Sequence, residues 1–116
     1  MSGWQIGLSE QERARLRAVG YWYSVAQPEL PDPATYVDAS WPEDERRLTI
    51  AYLRSGPSCV RWCGYSTCRL CGETGRELGD ADLTDGSWIW PEGLTHYLER
   101  HSVRPLKTIA TLIRPY

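Results

Sequence analysis

The sequence predicts a small α+β domain of three to four helices and a short β-hairpin. Three observations carry this. Helix-start signals precede stretches with helical periodicity, an Asp-Gly pair is followed by alternating residues, and all four cysteines crowd between positions 59 and 71. The first two give the elements, and the third implies that a metal site staples them. A chain of 116 residues is one ordinary domain, large enough to bury a core of its own. Residues 1–116 are therefore read as a single domain of zinc-binding type.

The first helix opens at Ser9, because Ser9-Glu10-Gln11-Glu12 is a capping box in which Ser9 and Glu12 satisfy each other's backbone donors. Its pattern runs to about Ser24. The segment QPELPDPATYVD then carries three of the eight prolines, which remove donors and disfavour helix, so it reads as a surface connection. A second capping box pairs Ser40 with Glu43, places Pro42 in the first turn and stops the helix at Gly56-Pro57. Trp41, Leu48, Ala51, Tyr52 and Leu53 are its expected core stripe, and Glu43, Asp44, Glu45, Arg46 and Arg47 its solvated face. Asp85-Gly86 followed by Ser-Trp-Ile-Trp predicts the hairpin. Pro91 starts a third helix, and Leu106, Ile109, Ala110 and Ile113 share one face of a short fourth.

Composition excludes several classes. With 41% hydrophobic and 24% charged residues, the chain is neither disordered nor membrane-embedded, and no apolar run is long enough to span a bilayer. A net charge of -2 argues against general nucleic-acid binding, which draws its affinity from clustered Lys and Arg. The start MSGWQIGLSEQERARL lacks the basic, apolar and small-residue regions of a secretory signal, so a cytoplasmic chain beginning near Met1 is expected. In that compartment a tight cysteine cluster points to metal or redox chemistry before disulfides.

Zinc takes four tetrahedral ligands from thiolates and imidazoles, and C-x-x-C suits it because one turn aims both sulfurs inward. Cys68-Arg69-Leu70-Cys71-Gly72 is such a pair, with Gly72 permitting the turn. Two completions are open. Cys59 and Cys63 would make an all-cysteine site spaced C-x3-C-x4-C-x2-C, whose sulfurs iron could also occupy. His96 and His101, the only histidines, would make a site of two cysteines and two histidines, and a mixed set with one histidine is a third arrangement. Residues five apart on an ideal helix are rotated by about 140°. Both histidines therefore ligate only if the helix tightens or ends between them. His101 falls inward with Leu94, Tyr97 and Leu98, whereas His96 falls with Glu99 and Arg100. If one histidine ligates, His101 is favoured, with Asp85 or a backbone carbonyl holding its other ring nitrogen.

The strings GYSTCRLCG and LTDGSWIWPEGLTHYLERHSVRPL, with SWPEDERRLTIAYLRSGP before them, resemble a family of small bacterial proteins of actinobacterial type that carry no established activity. The resemblance spans about two thirds of the chain. It implies a C-R-x-C-G pair and an H-Y helix as the recurrent elements, with positions such as Cys59 and Cys63 free to differ. That raises the histidine-containing ligand sets against the all-cysteine one.

A catalytic reading would leave one zinc position open to water, with Asp85, Glu92 or His96 as base, or would use Cys68 or Cys71 as nucleophile with His96. The chain lacks H-E-x-x-H and the deaminase pairing of H-x-E with P-C-x-x-C. Six tryptophans and seven tyrosines against no phenylalanine favour recognition chemistry, since these rings offer apolar area with a polar handle. The expectation is a non-catalytic, zinc-stabilised domain that binds a protein or small-molecule ligand, with Trp88, Trp90 and Arg69 as candidate binding residues. The alternative is a small zinc-dependent enzyme.

Overall fold

The computed structural model describes residues 9–105. The fourth helix expected around Leu106–Ile113 lies outside them. In order, the chain forms α1 (Glu10–Ala14), β1 (Arg17–Ala18), a 3-10 turn (Pro33–Tyr36), α2 (Glu43–Ser55), β2 (Ser58–Arg61), a second 3-10 turn (Gly75–Glu77), β3 (Ala81–Thr84), β4 (Trp88–Pro91) and α3 (Leu94–His101). The four strands make one sheet in the order β1-β4-β3-β2. The fold is α+β, with a sheet broader than the hairpin expected.

The capping box of α1 forms in both directions, Ser9 N–H to Glu12 Oε1 at 2.9 Å and Glu12 N–H to Ser9 Oγ at 3.1 Å. The helix nevertheless stops at Ala14, ten residues short of the expected end. Tertiary packing overrides local preference here. Val19 and Trp22 are buried in the core, and between them Gly20 adopts φ +85° against Leu94, where an added Cβ would meet Leu94 Cδ1 at 2.8 Å.

In α2 the Ser40 cap does not form. The Ser40 hydroxyl donates to Asp38 Oδ1 at 2.7 Å, a nearer acceptor, and Pro42 occupies the N-cap position. The buried stripe is Thr49, Ile50 and Leu53, while Leu48 and Ala51 face solvent. Thr49 can replace Leu48 in the core because its hydroxyl donates to Glu45 O at 2.9 Å, leaving no polar group unpaired. Gly56 ends the helix against Trp90, and Trp90 Nε1–H donates to Leu53 O at 3.1 Å.

The Asp85-Gly86 turn joins β3 to β4. Asp85 Oδ1 accepts from the backbone of Ser87 and Trp88 at 2.9 and 2.8 Å, and Gly86 takes φ +95°. Trp90, Leu53, Leu94, Leu98 and Val103 form the driest part of the core. It joins Trp90 of β4 to Leu94 and Leu98 of α3, and α3 packs against α2, the placement on which the site depends. No helix among the described residues is long and apolar enough to cross a membrane.

Candidate metal centre

The loop after β2 presents Cys68 and Cys71. Cys68 N–H donates to Glu73 O at 2.8 Å and Gly72 N–H to Cys68 O at 3.0 Å, closing a turn in which Gly72 sits at φ +79°. Leu70 N–H points at Cys68 Sγ at 3.3 Å, a donor placed to stabilise a thiolate. The loop is tied to α3 by the hydroxyl of Tyr97, which accepts from Arg69 N–H at 2.8 Å. Burial pushes that phenol up to about 12, against the lowering effect of the Arg69 backbone bond.

α3 presents His96 and His101, and its end resolves the angular problem. Ser102 N–H bonds to Tyr97 O, five residues back, and Val103 N–H reaches the same oxygen at 3.2 Å. Such i→i−5 bonding winds more residues into each turn, so positions five apart come closer to one face. The helix widens where tightening was expected. Leu98 O and Glu99 O, left over by this pattern, accept from Arg46 Nη1, both at 3.3 Å. The two imidazole centroids lie 5.3 Å apart.

The ligand atoms of Cys68, Cys71, His96 and His101 lie within 4.8 Å of one another and could hold a metal ion. Cys68 Sγ faces His101 Nε2 at 3.5 Å, and Cys71 Sγ faces His96 Nε2 at 3.3 Å. Tetrahedral zinc, with bonds of about 2.3 Å to sulfur and about 2.0–2.1 Å to nitrogen, separates neighbouring S and N ligands by about 3.5 Å. The donor set and spacing fit such an ion. Cys68 and His96 are buried, His101 half-buried and Cys71 exposed.

Glu77 completes the surroundings. Its Oε2 lies 3.0 Å from His96 Nδ1, which sets the proton on Nδ1 and turns the Nε2 lone pair toward the sulfurs. The bond to His96 holds the Glu77 carboxyl below its ordinary value, helped by the charges of Arg100 and Arg54. Burial, then His96 and Arg100, push His101 down, toward the neutral form that binds metals. A Glu73 backbone bond pulls Cys71 down, but burial and the neighbouring Cys68 leave its thiol raised overall.

Other candidates lie elsewhere. Cys59 is buried in β2, at the irregularity between the Ser58–Leu83 and Val60–Asp82 pairs with β3, and Cys63 is exposed beyond that strand. Neither joins the group, so neither the all-cysteine nor the mixed set is assembled. No disulfide forms among the described residues, which hold all four cysteines. His96, expected on the exposed side of its helix, is 4% exposed. Asp85 does not serve His101, since it closes the hairpin and accepts from the Tyr52 hydroxyl. Glu77 takes the supporting role on the other histidine, and nothing in the linear order joined the two. Trp88 and Trp90 are core residues, 6% and 1% exposed, with Trp88 also on the wall of a cleft it shares with Glu12 and Arg17, and Arg69 is exposed.

A polar cleft of 340 Å³ adjoins His96, with Arg54, Arg76, Glu77, Glu92, Glu99 and Arg100 on its walls. Three cationic and three anionic side chains leave it without a dominant sign. Compared with models of known protein families, with curated proteins and with solved structures, the chain has no significant match.

Proposed function

We propose that Cys68, Cys71, His96 and His101 hold one structural zinc ion, and that the domain so stapled acts by binding a protein or small molecule, without catalysis. The observation that carries this is the convergence of four protein donors, two from a loop and two from a helix, within 4.8 Å of one another, with two sulfur–nitrogen separations of 3.5 and 3.3 Å. Four protein ligands close the coordination shell, whereas catalytic zinc keeps a position for water. Sulfur–nitrogen separations of 3.5 and 3.3 Å favour one tetrahedral ion over a two-iron cluster, in which the cysteines and the histidines would bind different irons. Thiolate ligands also suit the reducing cytoplasm.

Metal analysis with X-ray absorption on the purified protein tests the reading. The expected result is one zinc per chain, with two sulfur neighbours near ~2.3 Å and two nitrogens near ~2.0–2.1 Å. A four-sulfur shell, a bound water, or folded protein without metal would refute it.

A further inference from the structure

Two adjoining cavities flank the segment Gly20–Trp22, outside the metal group. One, of 150 Å³, is walled by Val19, Trp22, Leu30, Pro31, Tyr36 and Pro105. The other, of 110 Å³, is bordered by Gln27, Ser66, Thr67 and Arg69. Gly20, Tyr21, Trp22 and Leu30 belong to both, so the cavities are the apolar and polar ends of one groove. The apolar end has about the volume that receives a single benzene ring.

Trp22 borders both cavities and is 7% exposed, with its indole Nε1 sealed from solvent. One exposed donor at this groove has no acceptor among the described residues. Arg69 Nε donates to Tyr23 O at 2.9 Å and Nη1 to Thr67 O at 2.5 Å. These bonds hold the guanidinium in place, yet among the described residues no carboxylate pairs with it and Nη2 has no partner. In the cleft beside His96, by contrast, Arg54 is paired with Glu99 and Arg100 approaches Glu77.

We propose that this groove binds a small aryl carboxylate, with the ring in the 150 Å³ cavity and the carboxylate on Arg69. The carboxylate supplies the acceptor that Arg69 Nη2 lacks, and the ring packs against the apolar wall that includes Trp22. The proposal rests on the reading of the protein as a binding domain and does not depend on which metal it holds.

The test titrates zinc-loaded full chain with benzoate, phenylacetate, 3-phenylpropionate and 4-phenylbutyrate, each beside its primary amide. Calorimetry and the indole region of the ¹⁵N spectrum are read together. At least one acid is expected to bind about tenfold or more tightly than its amide, because a charge-assisted hydrogen bond exceeds a neutral one. The same acid should shift the indole N–H resonance that Trp22→Phe removes. Arg69→Gln should bring the acid down to the level of its amide, and Arg69→Lys, which keeps the charge and loses the fork, should fall between. Zinc content is measured on every sample. A chain without zinc that still binds the acid in this way supports the groove and sinks the metal reading. A zinc-loaded chain that binds none of the acids at millimolar concentration, binds acid and amide equally, or keeps full affinity in both Arg69 variants overturns the groove and leaves the metal reading standing.

Discussion

Glu77 and His96 form a carboxylate–imidazole pair whose far side is a thiol: Oε2 lies 3.0 Å from Nδ1, and Cys71 Sγ lies 3.3 Å from Nε2. Removing such a supporting acceptor typically costs 10–100-fold in metal affinity. Glu77→Ala is therefore expected to weaken zinc binding by about that factor, and Glu77→Gln, which still offers an oxygen, by less. Competition with a chromophoric chelator measures both. Equal affinity in wild type and Glu77→Ala would remove Glu77 from the metal's surroundings.

Acidity affects the centre through Cys71. Its thiol is raised overall in the metal-free chain, so it carries a proton near neutrality that zinc must displace. His101 is lowered and brings no proton to displace there. The sign follows: binding releases protons, and zinc affinity rises with pH between about 6 and 8. Calorimetry in buffers of different ionisation enthalpy reads the protons directly. Affinity that falls across that range would contradict the assignment.

The cysteines should separate cleanly. Cys68→Ser and Cys71→Ser are expected to lose zinc and to unfold or become insoluble, since the binding energy of the proposed structural ion would be folding energy. Cys63→Ser, at an exposed site, should keep zinc and change stability by no more than about 0.5 kcal/mol. Cys59→Ser should also keep zinc, though a hydroxyl in its buried site lowers stability. Zinc content with thermal melting distinguishes all four.

Ser102 is the one non-glycine residue with positive φ among those described, at 54°. Glycine reaches that region freely, so Ser102→Gly should stabilise the zinc-loaded protein by about 0.5–1 kcal/mol. Ser102→Val, branched at Cβ, should destabilise it by about 1–3 kcal/mol and loosen the metal, since His101 is its neighbour. Melting curves of the two variants against wild type give the comparison.

Much of this centre was legible where the information is local. C-x-x-C-G names its own turn, and the Asp85-Gly86 hairpin follows from one dipeptide. The choice among ligand sets was not local. It turned on the widened end of α3, which depends on Ser102 entering the left-handed region and on Arg46, from another helix, taking up Leu98 O and Glu99 O. α1 was overextended because its capping box says where a helix begins, whereas its end was decided by the burial of Val19 and Trp22. Of the stripe expected on α2, Trp41, Tyr52 and Leu53 do pack on the core, but Leu48 and Ala51 do not, because hydropathy ranks Leu48 above Thr49 and does not see the hydroxyl's bond to Glu45 O. Cys59 fits a ligand set by spacing alone, but its burial within β2 leaves it outside the group of Cys68, Cys71, His96 and His101.

Parallel pairing of β1 with β4 rests on two residue pairs, Arg17 with Trp88 and Ala18 with Ile89. It joins stretches separated by most of the chain, so its loop-closure entropy is large and its reward small. That edge should open at lower free energy than the β3–β4 hairpin and exchange its amide hydrogens sooner. The same separation orders events at the ribosome, where residues 17–19 emerge before any residue of β4 exists. The first strand made is the last to find its place.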